Sequence, residues 1–414
     1  MATLTFIRKL FRLKDLKVVD FKFFTKTQLL QILVKPYKNG CRCPECGRRC
    51  KIVHQLQKVR KWDDIVVAGW KIILLYAPKE IMCPTHGRQQ EEIPWASVNS
   101  QCTYRFEFAM LMYAKTMTLK STSELLKSPI STLSDRLHRS INRVRNGHKI
   151  RGLRTIGIDE ISYCKGKKYA TIVYDLDKGA VIWVGRGKGR STIDKFFNEE
   201  LSDYKKKQIQ WASCDMSKAY IGAIETHCPN AKLVLDHFHI VKALNEAVDE
   251  VRKDTWRELS QVGRKAIKGL RWMLYRHSST RKKSDTKFLN NLKKGNNKIY
   301  RAWVLKDELE HFWSYISRGW ATKFLKGWIT KALRSRIEPL KKFARMLRKH
   351  QNNILNFIER NLSNARAEGI NRVIKIVKNR ASGFRNLESF TDMIFLVVGD
   401  VDIPAQIPLR FRTL

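Results

Sequence analysis

The apolar positions of this chain change period several times, and each change marks a new element. Residues 29–34, Leu-Leu-Gln-Ile-Leu-Val, form an almost unbroken apolar run of strand length. Residues 65–67 and 71–76 predict two more strands, joined at Gly69. From Tyr104 the spacing turns helical, with Phe106, Met110, Tyr113, Ala114 and Met117 on one stripe. Residues 121–126 predict a short helix, 127–130 a turn at Pro129, and 131–145 a basic helix capped by Ser131. From Arg154 the period falls to two. Residues 156–160 predict a strand ending in acid, and 169–174 with 180–184 a hairpin turning at Asp177-Lys178-Gly179. An amphipathic helix is expected over 191–201. Strands over 209–214 and 232–235 then end at Asp215 and Asp236.

Three strands, a helix and two more strands is the order of a ribonuclease H-like core. Residues 241–360 are helical in pattern and read as an inserted all-α domain, with 30 basic against 11 acidic side chains. Six of the eleven tryptophans fall there: Trp256, Trp272, Trp303, Trp313, Trp320 and Trp328. Most are expected in the core, with one or two free to stack on bases. The run 331–349 carries eight basic residues and one acid, which fits phosphate contact better than a merely solvated face. A helix over 364–377 carries Glu368, Gly383-Phe384-Arg385-Asn386 breaks it, and a last helix spans 388–397. The expected fold is therefore multidomain α+β. An N-terminal metal-knuckle segment covers 1–98 and a helix-turn-helix 99–150. The catalytic core follows in two parts, 151–240 and 361–399, split by the insertion at 241–360. A tail covers 400–414.

Charge turns this organisation toward a substrate. Lys plus Arg number 81 against 38 Asp plus Glu, a formal net charge of +43 spread along all 414 residues. Such a field attracts polyanions, nucleic acid first. A hydrophobic share of 43% excludes a disordered chain, and the length exceeds that of a ribosomal-type binder. The N-terminus interrupts its apolar residues with charges and has no small-residue cleavage site. The stretch 66–77 is broken by Lys71 and too short to cross a bilayer. The expectation is a cytoplasmic, nucleoid-associated protein with no membrane partner. Its helix 131–145 presents Arg136, Arg139, Arg143 and Arg145, as a DNA-reading second helix would.

Nine cysteines are unevenly placed, with Cys41, Cys43, Cys46, Cys50, Cys83 and Cys102 in the first quarter. In a reducing cytoplasm that clustering argues for metal rather than disulfides. Cys43-Pro44-Glu45-Cys46-Gly47 and Cys83-Pro84-Thr85-His86-Gly87 are echoes of one C-P-x-[CH]-G turn. Two such knuckles are how a zinc ribbon holds one tetrahedral ion. The competing reading is a set of buried free cysteines. Cys41, Cys50 and His54 also lie within reach of the site.

The acids suggest the chemistry. Phosphoryl transfer on DNA needs no protein nucleophile if two divalent ions are held a few ångströms apart. Carboxylates suit Mg²⁺ or Mn²⁺. Asp159 and Asp215 end strands expected to be neighbours, and Glu368 on a packing helix completes a third position. The plainer readings are a surface acid for Asp159, a helix cap for Asp215 and an ion pair with Arg372 for Glu368. The interval of about 150 residues between Asp215 and Glu368 is accounted for by the helical insertion.

These residues resemble the ISL-three family of bacterial insertion-sequence transposases over nearly the whole chain. Gly157-Ile158-Asp159-Glu160 and Cys214-Asp215-Met216-Ser217 with Tyr220 resemble its first two acid motifs. Leu235-Asp236-His237-Phe238-His239 resembles its D-x-F-H motif. Residues 363–371, ending Ala367-Glu368-Gly369-Ile370-Asn371, resemble its last acid motif, continued by Lys375, Lys378, Arg380 and Gly383-Phe384-Arg385. The resemblance implies a DDE transposase that cuts at terminal inverted repeats and joins 3′ ends to target DNA, with Asp159, Asp215 and Glu368 as ligands of two Mg²⁺ ions. It also implies Zn²⁺ on Cys43, Cys46, Cys83 and His86, where His86 replaces an expected cysteine and Cys41 or Cys50 is the alternative fourth ligand. Asp236 and His239 are expected to support the site. Arg136, Arg139, Arg143, Arg372, Lys375 and Lys378 are the expected DNA contacts, and at least a dimer is expected to pair two ends. The competing functions are a DNA-binding regulator with an idle core and a nuclease that cuts without joining.

Overall fold

The strand-like stretches form three separate sheets among the described residues. The computed structural model describes the chain except residues 1, 12, 14–15, 37–40, 56–57, 165, 167, 262–263, 265–267, 277–279, 281, 292–297, 361–364, 410–411 and 413–414. It is a mixed α+β protein whose chain divides into two units, residues 1–149 with 373–414, and residues 150–372.

The first unit opens with a helix, Ala2–Leu10, and eight strands. They are β1 (Leu16–Phe24), β2 (Leu29–Pro36), β3 (Cys41–Arg42), β4 (Arg49–Gln55), β5 (Arg60–Val67), β6 (Trp70–Tyr76), β7 (Lys79–Cys83) and β8 (Gly87–Gln90). One sheet has the order β1-β2-β6-β5 and the other β3-β4-β7-β8. In the first, Leu30, Ile32 and Val34 alternate onto one face and pack with Ile72, Leu74 and Trp62. The expected turn at Gly69 is a two-residue hairpin in which Ala68 and Gly69 both have positive φ, 47° and 78°. That backbone matches the twist of the flanking strands.

Three helices follow, Tyr104–Thr116, Leu119–Leu125 and Ile130–Gly147, each packed on the other two. Thr103 and Thr118 cap the first two, accepting from Phe106 N at 3.1 Å and Ser121 N at 3.0 Å. The third begins at Ile130, so Ser131 is not its cap. Pro129 holds that position with φ −55° and no side-chain bond. The final helix, Leu387–Val398, packs on Tyr104–Thr116 and Ile130–Gly147. Sequence order groups it with the acid-bearing strands, whereas the fold places it in the first unit. Its apolar surface explains the difference, because Phe390, Ile394 and Leu396 are buried within this unit and Arg145 lies 3.7 Å from the Phe395 ring.

The second unit is built on β9 (Thr155–Cys164), β10 (Lys168–Asp175), β11 (Ala180–Arg186), β12 (Trp211–Cys214) and β13 (Lys232–Leu235). The order is β11-β10-β9-β12-β13. The first three are antiparallel, and β12 runs parallel to both β9 and β13. Between β11 and β12 the expected single helix becomes Arg190–Lys195 followed by a π-helical turn, Phe196–Glu200. The wider turn buries Phe196 and Phe197 together. Seven helices then run from His237–Glu258 to Gln351–Arg360 among the described residues, and an eighth, Ala365–Arg380, leaves the unit at Val373.

Among the described residues this helical insertion shares its core with the sheet. Its Trp328, Leu340 and Ile354 belong to one apolar cluster with Ile158, Cys214 and Leu235 of the sheet. Asn356 seals the junction by donating to Leu233 O at 2.8 Å. Trp303 and Trp328 are buried, whereas Trp272 and Trp320 are 67% and 63% exposed. No helix among the described residues is long and apolar enough to cross a membrane.

Candidate functional site

In the first unit, two tight turns bring four soft donors together. Cys43, Cys46, Cys83 and His86 place their ligand atoms within 4.8 Å of one another. Cys43 Sγ lies 3.6 Å from His86 Nδ1, and Cys46 Sγ lies 3.6 Å from Cys83 Sγ. Gly47 and Gly87 make the turns possible, with φ of 68° and 72° that a side chain would strain. Amides turned inward by the second knuckle, Thr85 first, hold the Cys83 thiol down to about 6. Three sulfurs and one imidazole are a donor set that suits zinc. Sequence reasoning missed Glu45, whose Oε2 lies 3.4 Å from His86 Nε2 and whose Oε1 accepts from Gln89 at 2.6 Å. A carboxylate behind an imidazole fixes its tautomer and aim. Cys41 and Cys50 stay outside the group. Burial pushes the Cys41 thiol up to about 12, and Cys50 donates to Arg48 O at 3.4 Å.

In the second unit the sheet register aligns three acids. Cys214 of β12 pairs with Ile158 of β9 on one side and with Leu235 of β13 on the other. The next residues along the three parallel strands are Asp159, Asp215 and Asp236. Three carboxylates therefore stand abreast at one sheet position. Their combined charge is felt by Cys214, whose thiol is raised by burial first and then by Asp215, Asp236 and Asp159. Asp215 folds back to accept from Ser217 N at 2.9 Å; the cap of the helix Lys218–His227 is Ser217 rather than Asp215. Asp236 caps His237–Glu258 through Phe238 N at 2.8 Å, and His239 Nε2 lies 3.7 Å from its other oxygen.

Asp159 is the most constrained of the three. Burial pushes its carboxyl above the usual range, against the Glu160 amide, the His239 charge and the Asn371 side chain. Asn371 donates to Asp159 Oδ2 at 2.7 Å and accepts from the buried Tyr174 hydroxyl at 2.5 Å. It lies on Ala365–Arg380 one turn after Glu368, so the two share a helix face. Asn371 was visible in the sequence only as the end of a motif. Ser363 and Asn364, which open that motif, lie outside the described residues. Glu368 itself is exposed, and the ion pair with Arg372 that its spacing allows is absent among the described residues. Asp159, Asp215 and Glu368 do not converge as the cysteine group does: among the described residues that group alone meets the 4.8 Å spacing.

A family model described as a transposase, of the DDE type and ISL-three group, matches residues 156–394. That span includes all four carboxylates. The transposase for insertion sequence element IS1001 of Bordetella parapertussis is 31% identical over 368 residues, covering 87% of this chain and 89% of the relative. The transposase for insertion sequence element IS1557 of Mycobacterium tuberculosis is 26% identical over 381 residues, covering 86% and 85%. The chain belongs to the ISL-three insertion-sequence transposases. It is a DNA transposase, and the family implies a DNA substrate and a divalent metal.

The expected DNA contacts of this transposase fall into two groups. Arg136 is buried, pairs with Asp63 at 2.8 Å and lies 5.2 Å from the Phe106 ring. Its guanidinium is engaged inside the unit. Arg143 is exposed but pairs with Glu107 and donates to Ser97 at 2.7 Å. Arg139 is exposed and donates only weakly along its own helix, to Asp135 O at 3.3 Å. Arg372 and Lys375 are exposed, and Lys378 is half-buried.

Proposed function

We propose that this transposase binds the terminal inverted repeats of its element, cuts at their ends and joins the freed 3′ ends to target DNA. The observation that carries the reading is the shared register of β9, β12 and β13, which sets Asp159 and Asp215 side by side. A sheet in the order β11-β10-β9-β12-β13 is compatible with a ribonuclease H-like core split by the helical insertion. Asp159, Asp215 and Glu368 would hold two Mg²⁺ or Mn²⁺ ions, which when bound activate the attacking oxygen and stabilise the leaving one. Asp159, within β9, and Asp215, just after the end of β12, supply hard oxygen donors from a rigid sheet. Asn371 keeps Asp159 oriented and holds the helix that carries Glu368. Asp236, just after β13, and His239, in the first turn of the helix that Asp236 caps, would back the site.

In the first unit, Cys43, Cys46, Cys83 and His86 would bind Zn²⁺ and fix the two knuckles. Leu119–Leu125 and Ile130–Gly147 would act as a helix-turn-helix. The exposed start of the second helix, Ile130 and Ser131, and the exposed Arg139 would face DNA. Arg372 and Lys375 would meet phosphate. Pairing two ends calls for at least a dimer, at work on the bacterial nucleoid.

The test uses labelled DNA carrying the element's own ends, with Mg²⁺ and either intact protein or Asp215→Asn. Cut and joined products from the intact protein only are expected. Binding with no cut strand would favour a regulator, and cutting without joining would favour a nuclease.

A further inference from the structure

The helical insertion carries a second kind of surface. A cavity of about 390 Å³ opens between the end of His237–Glu258 and the start of Leu270–Tyr275. It is lined by Arg252, Lys253, Trp256, Arg257, Lys268 and Gly269. Arg271, on the neighbouring turn, lies 5.5 Å from the Trp272 ring and 5.3 Å from the Tyr275 ring. Among the described residues these cations meet two carboxylates, Asp249, which pairs with Arg252, Lys253 and Arg271, and Asp254, which pairs with Arg257. The group keeps a net positive charge. Trp272 is 67% exposed, which is unusual for a tryptophan in a unit that buries Trp303 and Trp328.

We propose that this cavity, with Trp272 beside it, binds an unpaired strand of DNA. The proposal rests on the DNA-cutting reaction above, since cutting is what frees a single strand beside the site. Phosphates of a duplex would need the cations but neither the concavity nor the exposed ring. A base can lie on an aromatic face only once it has left the stack. The cavity is large enough for a whole nucleotide. Its phosphate would lie among Arg252, Lys253, Arg257 and Lys268, with its base toward Trp256 and a neighbouring base on Trp272. Stacking of this kind tolerates any base, so the site would hold strand rather than read sequence.

The experiment measures binding of the full chain to a labelled single-stranded oligothymidylate and to an end-bearing duplex, by fluorescence anisotropy across salt. It compares intact protein, Trp272→Ala and the double variant Arg257→Gln, Lys268→Gln. Trp272→Ala is expected to weaken single-strand binding about tenfold and to change duplex binding less than twofold. The double variant should flatten the salt dependence for the single strand by about 1.4 in slope. Thermal melting checks that each variant folds, and an exposed ring should leave the midpoint unchanged. Equal losses on both DNAs would mean a plain phosphate surface and would overturn the proposal. So would unchanged single-strand binding in both variants, or competition by free thymidine monophosphate as effective, per nucleotide, as by the strand. Retained cutting and joining in any of those cases would leave the transposase reading standing.

Discussion

The cysteine group and the carboxylate group solve the same problem by opposite means. Cys43, Cys46, Cys83 and His86 converge within 4.8 Å because two turns, each closed by a left-handed glycine, deliver their own ligands. Asp159 and Asp215 are placed by strand register, and Glu368 depends on a helix whose start lies about 150 residues further along the chain. The first site is local geometry repeated. The second, as proposed, is tertiary structure, and Glu368, its proposed third carboxylate, stays exposed on a helix tied down through Asn371. A soft donor set made by two turns suits an ion that stays put. Hard carboxylates on separate elements suit ions that must share their coordination with DNA.

The largest expected effect tests the local half of that comparison. Cys43→Ser with Cys46→Ser removes two of four ligands, and structural zinc sites are worth about 10 kcal/mol or more of apparent binding. Metal analysis should find one zinc per intact chain and none in the variant, with the first unit melting earlier. Zinc absent from the intact protein would leave these residues as packed thiols. The carboxylate half comes next. Asp215→Asn should lower cutting by about a thousandfold, the scale of several kcal/mol of charge stabilisation at the reacting phosphate. Folding and duplex binding should be unchanged, and an active Asp215→Asn would remove that residue from the proposed site.

Asn371 tests whether the long-range half depends on its tether. Asn371→Ala breaks the bonds to Asp159 and Tyr174, and the loss of such supporting contacts typically costs 10- to 100-fold. The expected signature is a rise in the Mg²⁺ concentration for half-maximal cutting, with unchanged affinity for DNA ends. Tyr174→Phe, which keeps the amide on Asp159, should show a smaller rise. A lower melting temperature with normal metal dependence would make Asn371 a packing residue only.

Much of this was legible in the sequence, for reasons that differ between the two sites. The knuckles could be read because their ligand spacing is local, although the choice of His86 over Cys41 and Cys50 needed the β3–β4 and β7–β8 hairpins. Asp215 could be read as a strand end because its period-two stretch stops at the acid, whereas β9 runs on past Asp159 to Cys164 because the residues after it keep pairing with β10. The alignment of both acids with Asp236 is a matter of register, which a single sequence does not carry. The sharing of one core between sheet and insertion was hidden too, since Leu233, Asn356 and Trp328 meet only in three dimensions. Helical periodicity found the last helix but not its partners, and it stayed with the first unit through Phe390 and Phe395.

The arginines of Ile130–Gly147 give the smallest effect and the finest test. Spacing alone made Arg136, Arg139 and Arg143 equivalent, because all three are basic residues on one helix. Burial separates them. Arg136→Ala would strand Asp63, which keeps only the Lys71 ammonium at 3.4 Å, and should cost about 2 kcal/mol of stability. Once that loss is matched by working at lower temperature, the salt dependence of its DNA binding should equal that of the intact protein. Arg139→Ala should do the reverse, leaving the melting curve in place and lowering the slope of log affinity against log salt by about 0.9, one phosphate's worth. If both variants change the slope alike, the helix meets DNA along its buried side and its packing must open to do so. If neither does, the exposed Arg372 and Lys375 become the contacts to replace next.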